Sequence, residues 1–154
     1  MKKILSILSI SLFLFGCSSS VTIEINNENK GYFSEKKRIV YYKGVPFTGT
    51  KIKKFDNGKL KFKEHFLDGK YSGTWESYYE NGQLREIKSF RDGGDYYVNG
   101  KQRNRIGKYE KYYKNGNISS KGVYNENGNK DGIWINGGQN GSIISEREYK
   151  DGES

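Results

Sequence analysis

From Gly49 to Gly152 apolar and polar residues alternate in short runs that break at Asn-Gly or Asp-Gly pairs. A period of two marks strands with one face turned inward. The pattern recurs four times. In each segment Asn-Gly or its equivalent ends nine residues after a leading glycine, pairing Gly49 with Gly58, Gly73 with Gly82, Gly107 with Gly116 and Gly132 with Gly141. An aliphatic stands two residues later (Leu60, Leu84, Ile118, Ile143) and an aromatic six beyond it (Phe66, Phe90, Tyr124, Tyr149). Gly69, Gly93, Gly128 and Gly152 close the units. The predicted fold class is all-β: an elongated antiparallel meander of β-hairpin repeats forming a single twisted sheet. The repeats span 47–69, 73–93, 107–128 and 132–152, within a domain running over 39–154.

Asn-Gly between two alternating runs predicts a two-residue type I′ turn, with positive φ at both residues. Counting outward from that tip sets Tyr79 opposite Leu84, Trp75 opposite Lys88 and Gly73 opposite Phe90. The same register sets Gly49 opposite Phe66, Gly107 opposite Tyr124 and Gly132 opposite Tyr149. Each leading glycine therefore faces a ring that can cover its bare backbone. Asp68-Gly69 predicts a second tight turn, with Phe66 opposite Tyr71 and Phe62 opposite Trp75. The longer connection from Tyr124 to Gly128 predicts a bulge or a three-residue loop, because a one-residue slip would flip every later side chain. Trp75 and Tyr79 are expected on one aromatic face, with a charged face behind. One hairpin is marginal alone, so neighbouring units must stack.

The string Gly73-x-Trp75-x-x-Tyr78-Tyr79-x-Asn81-Gly82-x-Leu84, closed by Phe90 and Asp92-Gly93, resembles the MORN-repeat variant of bacterial proteins. Some of those proteins are antitoxins of the YwqK type. The resemblance covers residues 40–152, with Tyr41 to Gly49 similar to the usual lead-in strand. It implies a sheet of hairpins and no catalytic residue. Two departures stand out. Gly137-Gly138 replaces the tyrosine pair in the fourth unit, and an insertion at about 94–106 separates the second unit from the third.

The start of the chain reads differently. Met1-Lys2-Lys3 precedes an apolar run from Ile4 to Phe15, then Gly16-Cys17 and three serines. A run this short is a signal-peptide core rather than a membrane span. Gly16-Cys17 resembles the lipobox of bacterial lipoproteins, which implies cleavage after residue 16 and lipidation of Cys17. Ser18 after the cysteine implies the outer membrane where a cell has one, and otherwise the outer face of the cell membrane. An ordinary signal with an incidental cysteine is the alternative. Residues 17–38 are expected to serve as lipidated Cys and tether, with Val21, Ile23 and Ile25 alternating as a short strand would.

Composition narrows the chemistry. The chain has 154 residues, 20 Gly, 13 Tyr, one Cys, one His and a net charge of +9, with no alanine. A glycine- and tyrosine-rich chain without alanine favours strands over helices. One cysteine allows no internal disulfide. One histidine and one cysteine leave no set of ligands for a zinc site, so metal and cofactor are both expected to be none. His65, expected opposite Ser72, has no second His or Cys beside it. Glu64 and Glu86 face Lys51 and Ser77 as paired strand residues, not as general acids, and no phosphate-binding loop is present.

Three groups are candidate binding residues. Lys54, Lys59, Lys61 and Lys63 cluster in the first hairpin, with Lys54 expected directly opposite Lys61. Facing like charges destabilise a pair, which points to a counter-anion, the alternative being a solvated face. Tyr78 and Tyr112 each precede an inward aromatic and are expected outward, opposite Arg85 and Ser119. The insertion carries Tyr96, Tyr97, Arg103 and Arg105, and insertions in repeat arrays fall on the binding side.

The expected function is a non-enzymatic, membrane-anchored lipoprotein that displays a β-repeat surface. Its expected partners are the membrane through the lipid anchor and a protein or anionic envelope polymer. Nucleic acid is excluded, since the signal directs the chain away from it. The alternatives are an immunity or antitoxin protein against an envelope-acting toxin, and a glycan or cell-wall binding module.

Overall fold

The computed structural model describes residues 21–92, 97–98, 101–102 and 105–154. The chain runs through β1 (Thr22–Glu24), a 3-10 turn at Lys30–Tyr32, β2 (Phe33–Lys36), β3 (Ile39–Tyr42) and β4 (Val45–Pro46). The hairpin strands follow: β5 (Gly49–Lys54), β6 (Leu60–Leu67), β7 (Lys70–Tyr78) and β8 (Leu84–Phe90). Two short strands, β9 (Tyr97–Val98) and β10 (Lys101–Gln102), pair with each other in the insertion. The remaining strands are β11 (Arg105–Tyr112), β12 (Ile118–Tyr124), β13 (Lys130–Gly137) and β14 (Ile143–Tyr149). The main sheet has nine strands in the order β1-β5-β6-β7-β8-β11-β12-β13-β14. β8 and β11 pair directly, so the insertion leaves the array unbroken.

All four predicted glycine–aromatic pairs are present: Gly49 with Phe66, Gly73 with Phe90, Gly107 with Tyr124 and Gly132 with Tyr149. The expected single sheet is amended. β1 adds parallel to β5, and β2, β3 and β4 form a separate three-stranded sheet. Residues 22–36, expected within a tether, thus belong to the fold. The small sheet is sewn to the first Asp-Gly turn: the Val40 amide donates to the Gly69 carbonyl and the Gly69 amide donates to the Phe47 carbonyl, both at 2.8 Å. Val40, Phe47 and Phe66 form a buried core with Ile23, Phe33, Tyr42 and Tyr71 packed around it.

The Asn-Gly tips are not type I′ turns. Asn57, Asn81 and Asn115 keep negative φ, and only the glycine is left-handed, at +90° for Gly82. The Gly82 amide donates back to the Tyr79 carbonyl, and the Tyr79 amide donates to the Gln83 carbonyl, both at 2.8 Å. This is a three-residue loop, a type I turn closed by a left-handed glycine. It shifts the tip by one residue, so Tyr78 pairs with Leu84. Arg85 is the extra residue that returns the ladder to register, and Ser77 meets Glu86 as expected. Type I′ geometry appears instead at Asp68-Gly69, with φ of +49° and +76° and Leu67 opposite Lys70. Of the bulge or three-residue loop expected at the Tyr124–Gly128 connection, the chain forms the loop, with Tyr124 opposite Lys130.

A second correction concerns the junctions between hairpins. From Phe66–Tyr71 the ladder steps to Glu64–Trp75, so three residues, Ser72 to Thr74, stand against His65 alone. Trp75 therefore faces Glu64 rather than Phe62, and His65 is shared by Ser72, Gly73 and Thr74 instead of pairing with Ser72 alone. Gly73 makes the excursion at φ +63°, and Gly107 (+64°) and Gly132 (+66°) repeat it. The shift is two residues, an even number, so no side chain changes face. Rings line one side throughout: Phe66, Tyr71 and Phe90 stack at 4.8 and 5.2 Å, and Trp134 sits 5.6 Å from Tyr109 and 5.0 Å from Tyr124. That face is not purely aromatic. Lys88 lies 4.4 Å over Trp75, Lys130 lies 4.3 Å over Trp134, and Lys51 pairs with Glu64 at 2.6 Å.

The tip asparagines tie one unit to the next. Each Oδ1 accepts from the amide two residues on, and each Nδ2 donates to a carbonyl of the following tip: Asn57 to Glu80, Asn81 to Lys114 and Asn115 to Gln139. The Tyr79 hydroxyl donates to the Tyr112 carbonyl at 2.8 Å and Tyr113 repeats this on Gly137. Gly137 is bare because a Cβ there would strike the Ile118 carbonyl.

Three substitutions at two positions test this framework by urea unfolding. Asn81→Asp keeps the acceptor and loses the donor to Lys114, so it is expected to cost about 1 kcal/mol, and Asn81→Ala, which loses both, about 2 kcal/mol. Gly122→Ala drives a methyl into the Trp134 ring and is expected to cost roughly 1–3 kcal/mol or more.

Candidate binding groove

The first two hairpin tips enclose a shallow groove of about 520 Å³ on the aromatic side of the sheet. Phe62, Trp75 and Ser77 lie along it, and Phe55, Tyr78, Tyr79, Lys61, Arg85 and Lys114 stand around it with Glu80 and Glu86, so the candidate Tyr78 lines it too. Trp75 and Tyr79 share this groove, as the one-face expectation requires. Lys61 and Arg85 owe their position to the tip bulges. Lys61 Nζ lies 5.2 Å over the Phe55 ring, and the Arg85 guanidinium lies 5.8 Å over Tyr79. Among the described residues neither cation, nor Lys114, lies within ion-pair distance of a carboxylate. Glu86 is engaged by Lys88 at 3.1 Å.

The other candidates, Tyr78 apart, disperse. Lys54 does not face Lys61: it pairs with Leu60 and binds Glu24 at 2.8 Å, so β1 supplies the counter-anion that the like-charge pair was expected to need. Lys59 donates to the Asn81 carbonyl and helps stack the tips. Lys63 lies on the opposite face, between Ile52 and Glu76. Tyr78 and Tyr112 face Leu84 and Ile118, not Arg85 and Ser119. They are half-buried, and each hydroxyl donates to a carboxylate two residues earlier, Glu76 at 2.7 Å and Glu110 at 2.6 Å. Arg105 joins the aromatic face, about 6 Å over Tyr109 and Tyr124. Cys17, Tyr96 and Arg103 lie outside the described residues, and Tyr97 is described only as part of β9. Phe55, Tyr79 and Lys114 went unnoticed as site residues, although all three hold equivalent or adjacent tip positions in the repeat.

Among the described residues no three His, Cys, Asp or Glu gather as metal ligands. His65 Nδ1 meets Thr50 Oγ1 at 2.8 Å. Burial, with Lys63 assisting, holds the His65 ring below its ordinary value of 6.5. Burial likewise pushes the Tyr78 and Tyr112 hydroxyls up to about 12, and the bonds to Glu76 and Glu110 add to it. Burial alone would raise the Glu110 carboxyl, but Tyr112, Lys108 and Lys121 outweigh it and hold the group below its usual range.

These shifts predict a two-sided pH dependence. A tyrosine whose folded pKa is raised stabilises the fold below pH 10 and loses that contribution as pH climbs toward 12. Tyr78 and Tyr112 should titrate late in tyrosinate absorbance, and Tyr112→Phe should remove one late step. His65, with a lowered pKa, contributes above pH 6.5 and loses that contribution on acidification. His65→Gln should flatten the acid limb of a pH–stability curve between pH 5 and 7.

Compared with known protein families, residues 71–92 and 105–126 match the MORN repeat variant. No curated protein and no solved structure matches the chain. The matched stretches coincide with the second and third hairpins, and the first and fourth share their glycine–aromatic register. The chain thus carries MORN-variant repeats in a sheet of successive hairpins.

Proposed function

We propose that the protein is a non-enzymatic binding module, held at the cell envelope by a lipid on Cys17, that engages its partner through the groove at the first two tips. The observation that carries this reading is the groove itself. The repeated asparagine and tyrosine groups of the tips are consumed in joining unit to unit. Lys61, Arg85 and Lys114, in no ion pair among the described residues, remain around half-buried rings, with Glu80 and Glu86 beside them. A concave surface that combines aromatic rings with unpaired cations suits recognition of an anionic partner better than any reaction. The lipobox-like start supports delivery of that surface to the envelope, and a doubly acylated cysteine is a stable anchor.

Two measurements test the reading. Metabolic labelling with palmitate is expected to mark the wild type and not Cys17→Ala, which should leave the membrane fraction. A Cys17→Ala protein that stays labelled and membrane-bound overturns the anchor. Pull-down from detergent-solubilised membranes is expected to retain an envelope component, and Lys61→Ser with Arg85→Ser is expected to release it. Retention by that double variant equal to wild type overturns the groove as the binding surface.

A further inference from the structure

We infer that the groove binds an acidic polysaccharide, a sugar chain whose carboxylates recur along its length. This rests on the binding-module reading and names its ligand. Lys61 and Arg85 hold the same place in successive hairpins, the extra residue after each tip. Each is held over the ring of its own tip, at 5.2 and 5.8 Å. Equivalent residues in a sheet of hairpins repeat every second strand, which sets the two cations roughly 10 Å apart. Fixed charges at that interval, with Lys114 beyond, suit a chain bearing repeated anions rather than one isolated anion. The arginine can take a carboxylate through two parallel N–H donors. Phe62 and Trp75, half-buried along the groove with Lys51 and Lys88 over their rings, leave part of their apolar surface to it, and Ser77 offers a hydroxyl.

The repeats themselves argue that the fold does not require these cations. At the same place the third unit has Ser119 and the fourth Ile144, and both hairpins form with the same bulge. A cation there in the first two units only, beside the groove, is therefore available for recognition. Lys61→Ser with Arg85→Ser copies the third unit and is compatible with the hairpin.

The experiment uses the full chain in neutral detergent micelles and polygalacturonate as the probe, read by titration calorimetry. Wild type is expected to bind, with affinity falling as salt rises. The double variant, with an unchanged circular dichroism spectrum, is expected to bind about tenfold more weakly or worse. Lys108→Ser, on the other face, is expected to bind as wild type. Equal binding of neutral dextran overturns the inference, as does unchanged affinity in the double variant. Stronger binding of inorganic polyphosphate or phosphatidylglycerol vesicles than of polygalacturonate overturns it too. If polygalacturonate fails to bind while the membrane pull-down still depends on Lys61 and Arg85, the ligand assignment falls and the binding-module reading stands.

Discussion

An even-numbered ladder shift at three left-handed glycines holds this molecule together. At Gly73, Gly107 and Gly132 three residues stand opposite one, and the next pairing resumes two residues out of step. Had the shift been odd, Trp75 or Tyr109 would have crossed to the other face and the ring rows would break at each junction. Because it is even, Phe66, Tyr71 and Phe90 lie in one row and Tyr109, Tyr124, Trp134 and Tyr149 in the next cluster. Glycine is the residue that takes φ near +65° at little cost, which explains its place at the head of the second, third and fourth units.

Stacking of units rests on groups the repeat supplies each time. The asparagine amide caps its own loop through Oδ1 and bridges to the next through Nδ2. The tyrosine hydroxyl reaches the neighbouring strand. The ends of the array differ from its middle in the same terms. At the first unit, Phe55 has no hydroxyl and Lys59 reaches the second tip instead. At the fourth, Gly138 stands where Tyr79 and Tyr113 stand, so that tip lacks the tyrosine hydroxyl. The small β2–β3–β4 sheet packs on Phe66 of the first hairpin and Tyr71 of the second. Interaction partners are therefore left to positions that vary between repeats.

Charge on the aromatic face follows from the same geometry. Ammonium groups of Lys88 and Lys130 pack over indole rings, and Glu64 is buried between Lys51 and the Trp75 indole N–H, which donates at 2.8 Å. In a sheet with only one small covering layer, cations over rings substitute for the second layer that an ordinary sandwich would use. The basic character of the chain is thus partly structural, and only cations outside these pairs are available for recognition.

Much of this was legible in the sequence: the all-β class, four hairpins, the glycine–aromatic pairs and the three-residue loop after Tyr124 follow from spacing, because period-two patterning and turn chemistry are local. The Asn-Gly turn type did not follow, since a type I turn with a left-handed glycine uses the same two letters as type I′ and differs by one residue of register. That one residue moved Lys54 away from Lys61, and Tyr78 away from Arg85. Only the tertiary structure decided which cations remain unpaired. Glu24, thirty residues before Lys54, neutralises it through a parallel strand, and Arg85 turns over Tyr79 because of a bulge. Alternation along a chain records which side a residue faces, whereas charge pairing depends on distances between strands that the chain order does not contain.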